Sequence, residues 1–408
     1  MGGRVVDGGC KGLPPGLPPT PLTALRTFGW SLLGDDLPTP VAILRDDALA
    51  HNCLWMARFL AQTGAAFAPH AKTTMSPELM RLQLEDGAWG LTVANVHQAA
   101  VALEVGAARI LIANQVISGP ELAWLATAST RAEIFTLVDS VAAVARLSVL
   151  NKSIRVLVEV GYPGGRAGCR TAADALAVAR AVRAAPGVEL AGIEAYEGLI
   201  AGADPSAREA RVGAFLDEVV VVAEACHGEG LLGESPLLTA GGTTFPDLVA
   251  RRFGALAGFT PILRSGCYLT GDHGIYAAAM DRLTTRAPDL AGAGLLPALE
   301  VWATVLSRPE PTRVVLGAGK RDLGIDAGAP VPLRAARPGE GTFPCAGTVV
   351  EVNDQHAHLV VTETSTLRVG DRVALGITHP CTTFDRWSVI LRVDAAWRVT
   401  GAVHTRFG

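Results

Sequence analysis

Apolar positions fall along the chain in two textures. From about residue 38 to residue 268, short apolar runs alternate with helix-length amphipathic segments. TPVAILR is a β-like run, and the DDALAHNCLWMARFLAQTG that follows spaces its apolar residues for a helix closed by Gly64. AAFAPHAKT is a second strand-like run. The next segment, SPELMRLQLEDGA, carries Ser76, Pro77 and Glu78 where a helix N-terminus favours them. GLTVANV and HQAAVALEVGA repeat the alternation, and ILIANQV, EIFTLVD, IRVLVEV, LAGIEAY, LLTAGG and PILRSGCY continue it. Strands alternating with helices predict a parallel sheet. Roughly eight of them over ~240 residues predict an α/β fold of the (β/α)8 TIM-like barrel type. A doubly wound sheet is the competing architecture, but no GxGxxG follows the first strand.

The texture changes near residue 290. PALEVWATVLSRP, RVVLGAG, FPCAGTVVEVND, HAHLVVTE, RVGDRVALGITHP, WSVILRVD and RVTGAVHTRF are β-rich runs with closely spaced turn signals, which predict an all-β C-terminal domain. The Gly/Pro-rich start of the chain predicts irregular structure. The expected division is an irregular segment over 1–37, the barrel over 38–285 and the β-rich domain over 286–408.

Composition narrows the function. With 49% hydrophobic and 18% charged residues, global disorder is excluded. No apolar run reaches the 18 residues of a membrane-spanning helix. A net charge of −4 without basic blocks argues against nucleic acid as a partner. Seven scattered cysteines, an odd number without a CxxC pair, and no apolar leader at the N-terminus predict a reduced, cytoplasmic protein. Only four of the 35 basic residues are lysines: Lys11, Lys72, Lys152 and Lys320.

That scarcity bears on chemistry. Lys72 ends the second strand-like run, in Pro69-His70-Ala71-Lys72-Thr73, and a barrel's C-terminal strand ends face the active-site mouth. A lysine there can hold an aldehyde cofactor as a Schiff base and later act as a base, which arginine cannot do. The competing reading is a solvated loop lysine. The small-residue loops Thr239–Thr244 and Arg264–Cys267 suit a phosphate cup, although tight turns need the same glycines. Arg166, just beyond the strand-like VEV, could meet an anion or a pyridine nitrogen, or be a plain loop arginine. In GITHPCTTFDRW, His379 and Cys381 lie two apart, so an extended segment would turn both to one side. An imidazole and a thiolate so placed suit Zn2+ and leave coordination positions open. A turn with a buried cysteine is the alternative, and His356 and His358 compete as ligands.

Taken in order, PHAKT, ILIANQV, VEVGYPGGRAG, GIEAYEG, TAGGTTF, RSGCY, VVLGAGKRDLGIDAG and THPCTTFDRW resemble the D-serine dehydratase and D-threonine aldolase group of fold-type III pyridoxal 5'-phosphate (PLP) enzymes, relatives of bacterial alanine racemase, over about residues 38–408. The resemblance implies that Lys72, with His70 beside it in the same motif, holds PLP. It sets Arg166 by the pyridine nitrogen and makes Tyr196 line the cofactor as a second catalytic candidate. Gly242, Thr243, Gly266 and Cys267 would bind the phosphate, and His379 and Cys381 would hold zinc or another divalent metal. It also implies a homodimer. The aldolases carry HxD where this chain has Cys381, and a histidine soon after the YxG motif where this chain reads Glu197-Gly198-Leu199-Ile200-Ala201-Gly202. Both departures favour the dehydratase branch. The dehydratases read NHxCxT where this chain has Thr378-His379-Pro380-Cys381-Thr382, which leaves the substrate side chain open.

The implied reaction is β-elimination from a small D-3-hydroxy amino acid such as D-serine, giving a 2-oxo acid and ammonia. Retro-aldol cleavage to glycine and an aldehyde is the alternative. Racemisation would need a second base on the opposite face. A non-catalytic PLP carrier would not need the long β-domain.

Overall fold

The computed structural model describes residues 4–150 and 152–407. Among them, eight parallel strands follow one another around a curled sheet: Ala66–Phe67, Leu91–Val93, Arg109–Ile112, Glu133–Val138, Ile154–Val160, Val188–Ala195, Leu237–Ala240 and Thr260–Leu263. The last pairs with the first. Between the first and second there is no ladder. A parallel bridge from His70 to Thr92, with Trp89 donating to the Phe67 carbonyl and Thr92 to the Pro69 carbonyl, closes the ring. The expected barrel is therefore present, with the alternating helices outside it.

Strand alternation sorts the side chains. Ile110, Ile112, Val156 and Val158 face the helices in the main core. Leu111, Phe135, Leu137, Leu157, Leu237 and Ile262 point inward and plug the barrel. Nearer the C-terminal strand ends the interior turns polar with the buried Glu159, Glu194, Thr239 and Arg264. That change of polarity marks the functional end.

One strand sits elsewhere than its sequence position suggests. Val41–Arg45 is no part of the barrel. It runs antiparallel to Leu299–Glu310 and parallel to Val389–Val393, inside the C-terminal sheet. Ala42 and Leu44 enter the main core, whereas Val41 and Ile43 enter a second core. An apolar run of five residues carries no mark of which sheet it joins. Residues 4–37 are mostly irregular, with a two-residue ladder (Val5–Val6 with Thr20–Pro21) and a 3-10 turn over Leu22–Thr27. They are nonetheless packed: Leu13, Leu17, Leu22, Leu25, Leu32 and Leu37 cover Val41, Ile43 and Trp302 on the outer face of that sheet. No helix is long and apolar enough to cross a membrane among the described residues.

Ile43 is fully buried in the second core, while Leu54 on the Asp46–Thr63 helix is 61% exposed. Ile43→Ala is expected to cost about 2–5 kcal/mol and Leu54→Ala less than about 0.5 kcal/mol, read from urea unfolding midpoints. Equal losses would show that the Val41–Arg45 strand is not built into the C-terminal sheet.

Candidate active site

The first barrel strand delivers Lys72. After Phe67 the chain runs through Pro69 and His70 into a 3-10 turn, Ala71–Thr73. Lys72 is open to solvent yet flanked by protein, as in a concave mouth. Burial lowers its pKa; the facing Cys381 opposes that and Arg166 adds to it. A larger share of the amine is therefore neutral than in an ordinary lysine. His70 is held well below the usual histidine range by burial and by the charges of Lys72, Arg264 and Arg166, so its ring is neutral. Its Nδ1 is buried without a protein partner.

Two further walls come from the fifth and sixth strands. The Arg166 guanidinium lies 5.1 Å from the centroid of the Tyr196 ring. Glu159, Tyr162, Ala167 and Leu199 complete the recess around them. Burial raises the Tyr196 phenol, keeping it protonated. Glu159 is 3% exposed and accepts from Gln115 Nε2 at 2.5 Å. Burial and the neighbouring Glu194 raise it to about 7.

The seventh and eighth strands end in the two small-residue loops. A Cβ on Gly266 would lie 2.4 Å from the His70 carbonyl and 2.6 Å from Thr73 Oγ1, so only glycine lets that loop approach the lysine turn. Gly242 has φ +69°, and a Cβ there would meet Leu263 at 2.9 Å. Its amide is not free: Gly242 N–H donates to Glu197 Oε1 at 2.7 Å, and Gly241 N–H to Glu197 Oε2 at 3.1 Å. Among the described residues no protein acceptor takes the amides of Thr243, Thr244 or Gly266.

The C-terminal domain supplies the opposite side. His379 and Cys381 do not lie on an extended segment. His379 is extended, but Pro380–Phe384 is a single helical turn that His379 precedes, because Pro380 suits the first helical position. The two side chains are still near enough to shift one another's titration. His379 Nδ1 bonds Asp326 Oδ2 at 2.6 Å, which leaves Nε2 as the nitrogen able to coordinate. Contact with Cys381, then with Asp326, raises His379 above the usual range despite its burial. Cys381 is depressed, first by Cys267, whose Sγ lies 3.9 Å away, and then by His379 and Thr73, with burial opposing. Cys267 is correspondingly raised, so Cys381 is the thiolate and Cys267 the thiol. His358 instead bonds Asn353 and contacts Arg313, and His356 is exposed. Among the described residues no three His, Cys, Asp or Glu side chains gather as a metal cage. A metal on His379 and Cys381 would keep open positions. The carboxylate behind the imidazole and the depressed thiol suit a divalent ion.

Lys72, His70, Gly266, Cys267, Cys381 and His379 thus come from remote parts of the chain to one mouth. Sequence reasoning gave no role to Glu159, Glu194, Glu197 or Asp326, and named Arg264 only as the start of a candidate phosphate loop. Glu159 left a trace, as the one acid in the apolar run IRVLVEV.

A barrel with a strand-end lysine, two glycine loops and a β-domain closing the mouth defines a fold-type III PLP enzyme. Residues 44–226 match the family described as "Alanine racemase, N-terminal domain", and residues 298–393 the one described as "Putative serine dehydratase domain". The chain is 30% identical to a D-threonine aldolase of Arthrobacter sp over 328 residues, 78% of this chain and 79% of that one. It is 26% identical to a 3-hydroxy-D-aspartate aldolase of Paracoccus denitrificans (strain Pd 1222), covering 90% and 92%. The crystal structure of D-threonine aldolase from Filomicrobium marinum superposes with a TM-score of 0.77 at 27% identity, over 92% of this chain and 97% of that one. The fold is shared with D-threo-3-hydroxyaspartate dehydratase from Delftia sp. HT23, TM-score 0.72 at 22% identity, over 93% and 99%. The chain belongs to the D-serine dehydratase and D-threonine aldolase family of PLP-dependent lyases acting on D-amino acids.

Glu159 gives a stability test. Its folded pKa lies above the ordinary value of 4.5, so it binds a proton in the native state that the unfolded chain releases. Its contribution is fully present below 4.5 and is lost as pH rises through 7. Cofactor-free protein should lose on the order of 3 kcal/mol more than Glu159→Gln between pH 4.5 and 8. Parallel urea stability profiles for the two proteins would contradict the buried, neutral Glu159.

Proposed function

We propose that the chain dehydrates a small D-3-hydroxy amino acid such as D-serine, yielding a 2-oxo acid and ammonia. The observation that carries this reading is the His379–Cys381 pair held beside Lys72 by the contacts of Cys381 with Thr73 and Cys267. The donor sets fit both groups: a strand-end lysine, an orphaned buried His70 Nδ1 and a glycine-lined cradle for PLP, and a thiolate with an imidazole for a divalent metal. Bound PLP supplies an electron sink for charge developing at the substrate Cα, and the metal a Lewis acid for the β-hydroxyl.

The chain's own residues supply the rest. Lys72 in its neutral form takes the Cα proton. The guanidinium of Arg166 cannot give up its proton, so beside a pyridine nitrogen it keeps that nitrogen unprotonated. Tyr196 would line the cofactor together with Arg166, and neutral His70 could accept or donate one hydrogen bond. Asp326 fixes the orientation of His379.

Retro-aldol cleavage remains as a second reading because the matched relatives named above are aldolases. It requires a base for the substrate hydroxyl proton. The stretch after Tyr196 holds no histidine, and Cys381 stands where the aldolases carry aspartate.

A panel of D-serine, D-threonine and D-3-hydroxyaspartate, with ammonia plus oxo acid and aldehyde scored separately, decides between them. Elimination predicts oxo acid and ammonia in equal amounts without aldehyde; stoichiometric aldehyde and glycine would overturn it. Lys72→Ala should abolish fixation of PLP by borohydride, read by peptide mass mapping. Label at Lys11, Lys152 or Lys320 would refute Lys72. Chelator, or Cys381→Ala, should lower dehydration at least a hundredfold while leaving β-chloro-D-alanine turnover within about threefold, since chloride needs no Lewis acid. Equal loss on both substrates would make the metal structural.

A further inference from the structure

Glu197 follows Tyr196 directly and is fully buried. Its carboxylate forms no ion pair with a lysine or arginine among the described residues. Its two oxygens take the consecutive amides of Gly241 and Gly242 instead, one each, at 3.1 and 2.7 Å. A carboxylate is kept in a buried site only where hydrogen bonds replace its water. Burial leaves its pKa raised, although its own amide, that of Gly242, the charge of Arg264 and the amide of Gly241 pull the other way.

Two consecutive amides converging on one anion form an anion-binding concavity. In this loop the protein's own carboxylate fills it. The amide of Gly242, expected from the sequence to serve a phosphate, is consumed. Among the amides left over are those of Thr243, Thr244 and Gly266, which have no protein acceptor among the described residues. Thr243 and Thr244 directly follow the tethered pair, in which Gly242 sits at φ +69° against Leu263, and the Gly266 loop is joined to it where Arg264 N–H donates to the Gly241 carbonyl at 3.2 Å. Gly241 is pressed against the Tyr196 ring, where an added Cβ would lie 2.8 Å away. One dipeptide, Tyr196-Glu197, therefore joins the Arg166–Tyr196 wall to the Gly241-Gly242 loop.

We propose that Glu197 is the positioning residue of the phosphate loop: by occupying the Gly241 and Gly242 amides it presents those of Thr243, Thr244 and Gly266 to the phosphate of the cofactor. This rests on the PLP reading above. Glu197 itself touches neither phosphate nor substrate. Its removal should weaken recognition of the phosphate alone.

The test compares PLP with pyridoxal, which lacks the phosphate but can attach to the same lysine. Full-length chain freed of cofactor is titrated with each aldehyde, following absorbance, for wild type, Glu197→Gln and Glu197→Asp. The Gln variant sets an NH2 donor against a backbone N–H; the Asp variant keeps the charge but is one methylene too short. Wild type should bind PLP far more tightly than pyridoxal. In both variants that preference should fall roughly tenfold or more, the size of one lost hydrogen bond to a charged group, with pyridoxal affinity within about twofold of wild type. The 31P resonance of bound PLP should move toward that of free PLP. An unchanged preference in the variants, or equal losses for both aldehydes, would overturn the positioning role. Should Glu197→Gln fail to fold, Glu197→Asp alone decides by the same ratio. Wild type that binds neither aldehyde would instead refute the PLP reading.

Discussion

A buried guanidinium holds the functional end of the barrel together. Arg264 follows the eighth strand and is 4% exposed. It donates to Glu194 and the Ala195 carbonyl of the sixth strand and to Thr239 of the seventh. Three strand ends are thereby clamped, and each leads into part of the site: Tyr196-Glu197, the Thr239–Thr244 loop, and the Arg264–Cys267 loop. Such a pair is costly to bury and costlier to break singly, because the partner left behind is a lone charge. Its charge also reaches the site, adding to the burial that lowers His70 and Lys72. Glu194 in turn raises Glu159. Protonation states around the mouth thus depend in part on a buried charged layer behind it.

The site is a junction. The barrel contributes Lys72, Thr73 and Cys267; the C-terminal domain contributes Asp326, His379 and Cys381. They meet where Cys381 contacts Thr73 and Cys267. The Val41–Arg45 strand, paired to both Leu299–Glu310 and Val389–Val393, leads directly into the first helix of the barrel at Asp46 and ties the two parts at a second place. The elimination proposed above would need the lysine of one part and the imidazole–thiolate pair of the other at once, and neither part holds both.

Much of this was legible in the chain. The alternation of β-like runs and amphipathic segments revealed the barrel because strand and helix periods differ. Four lysines among 35 basic residues singled out Lys72, and the run of motifs carried the family. Three things stayed hidden for physical reasons. A short apolar strand buried on both faces is equally at home in either sheet, so Val41–Arg45 was misplaced. Pro380 favours a helical start as readily as an extended turn, so the local form of the His379–Cys381 segment was misread although their proximity was not. Gly242 looked like a phosphate ligand because the sequence cannot show that its amide is already taken.

The sequence by itself therefore determined the element types, the lysine at a strand end and the membership of a PLP lyase family, since each is written in spacing or residue type. Tertiary structure alone decided which charges are buried, which amides stay free and which thiol is ionised. Those properties belong to neighbours remote in the chain: Glu197 becomes a loop tether only where the seventh strand ends beside it, and Cys381 a thiolate only where Cys267, Thr73 and His379 surround it.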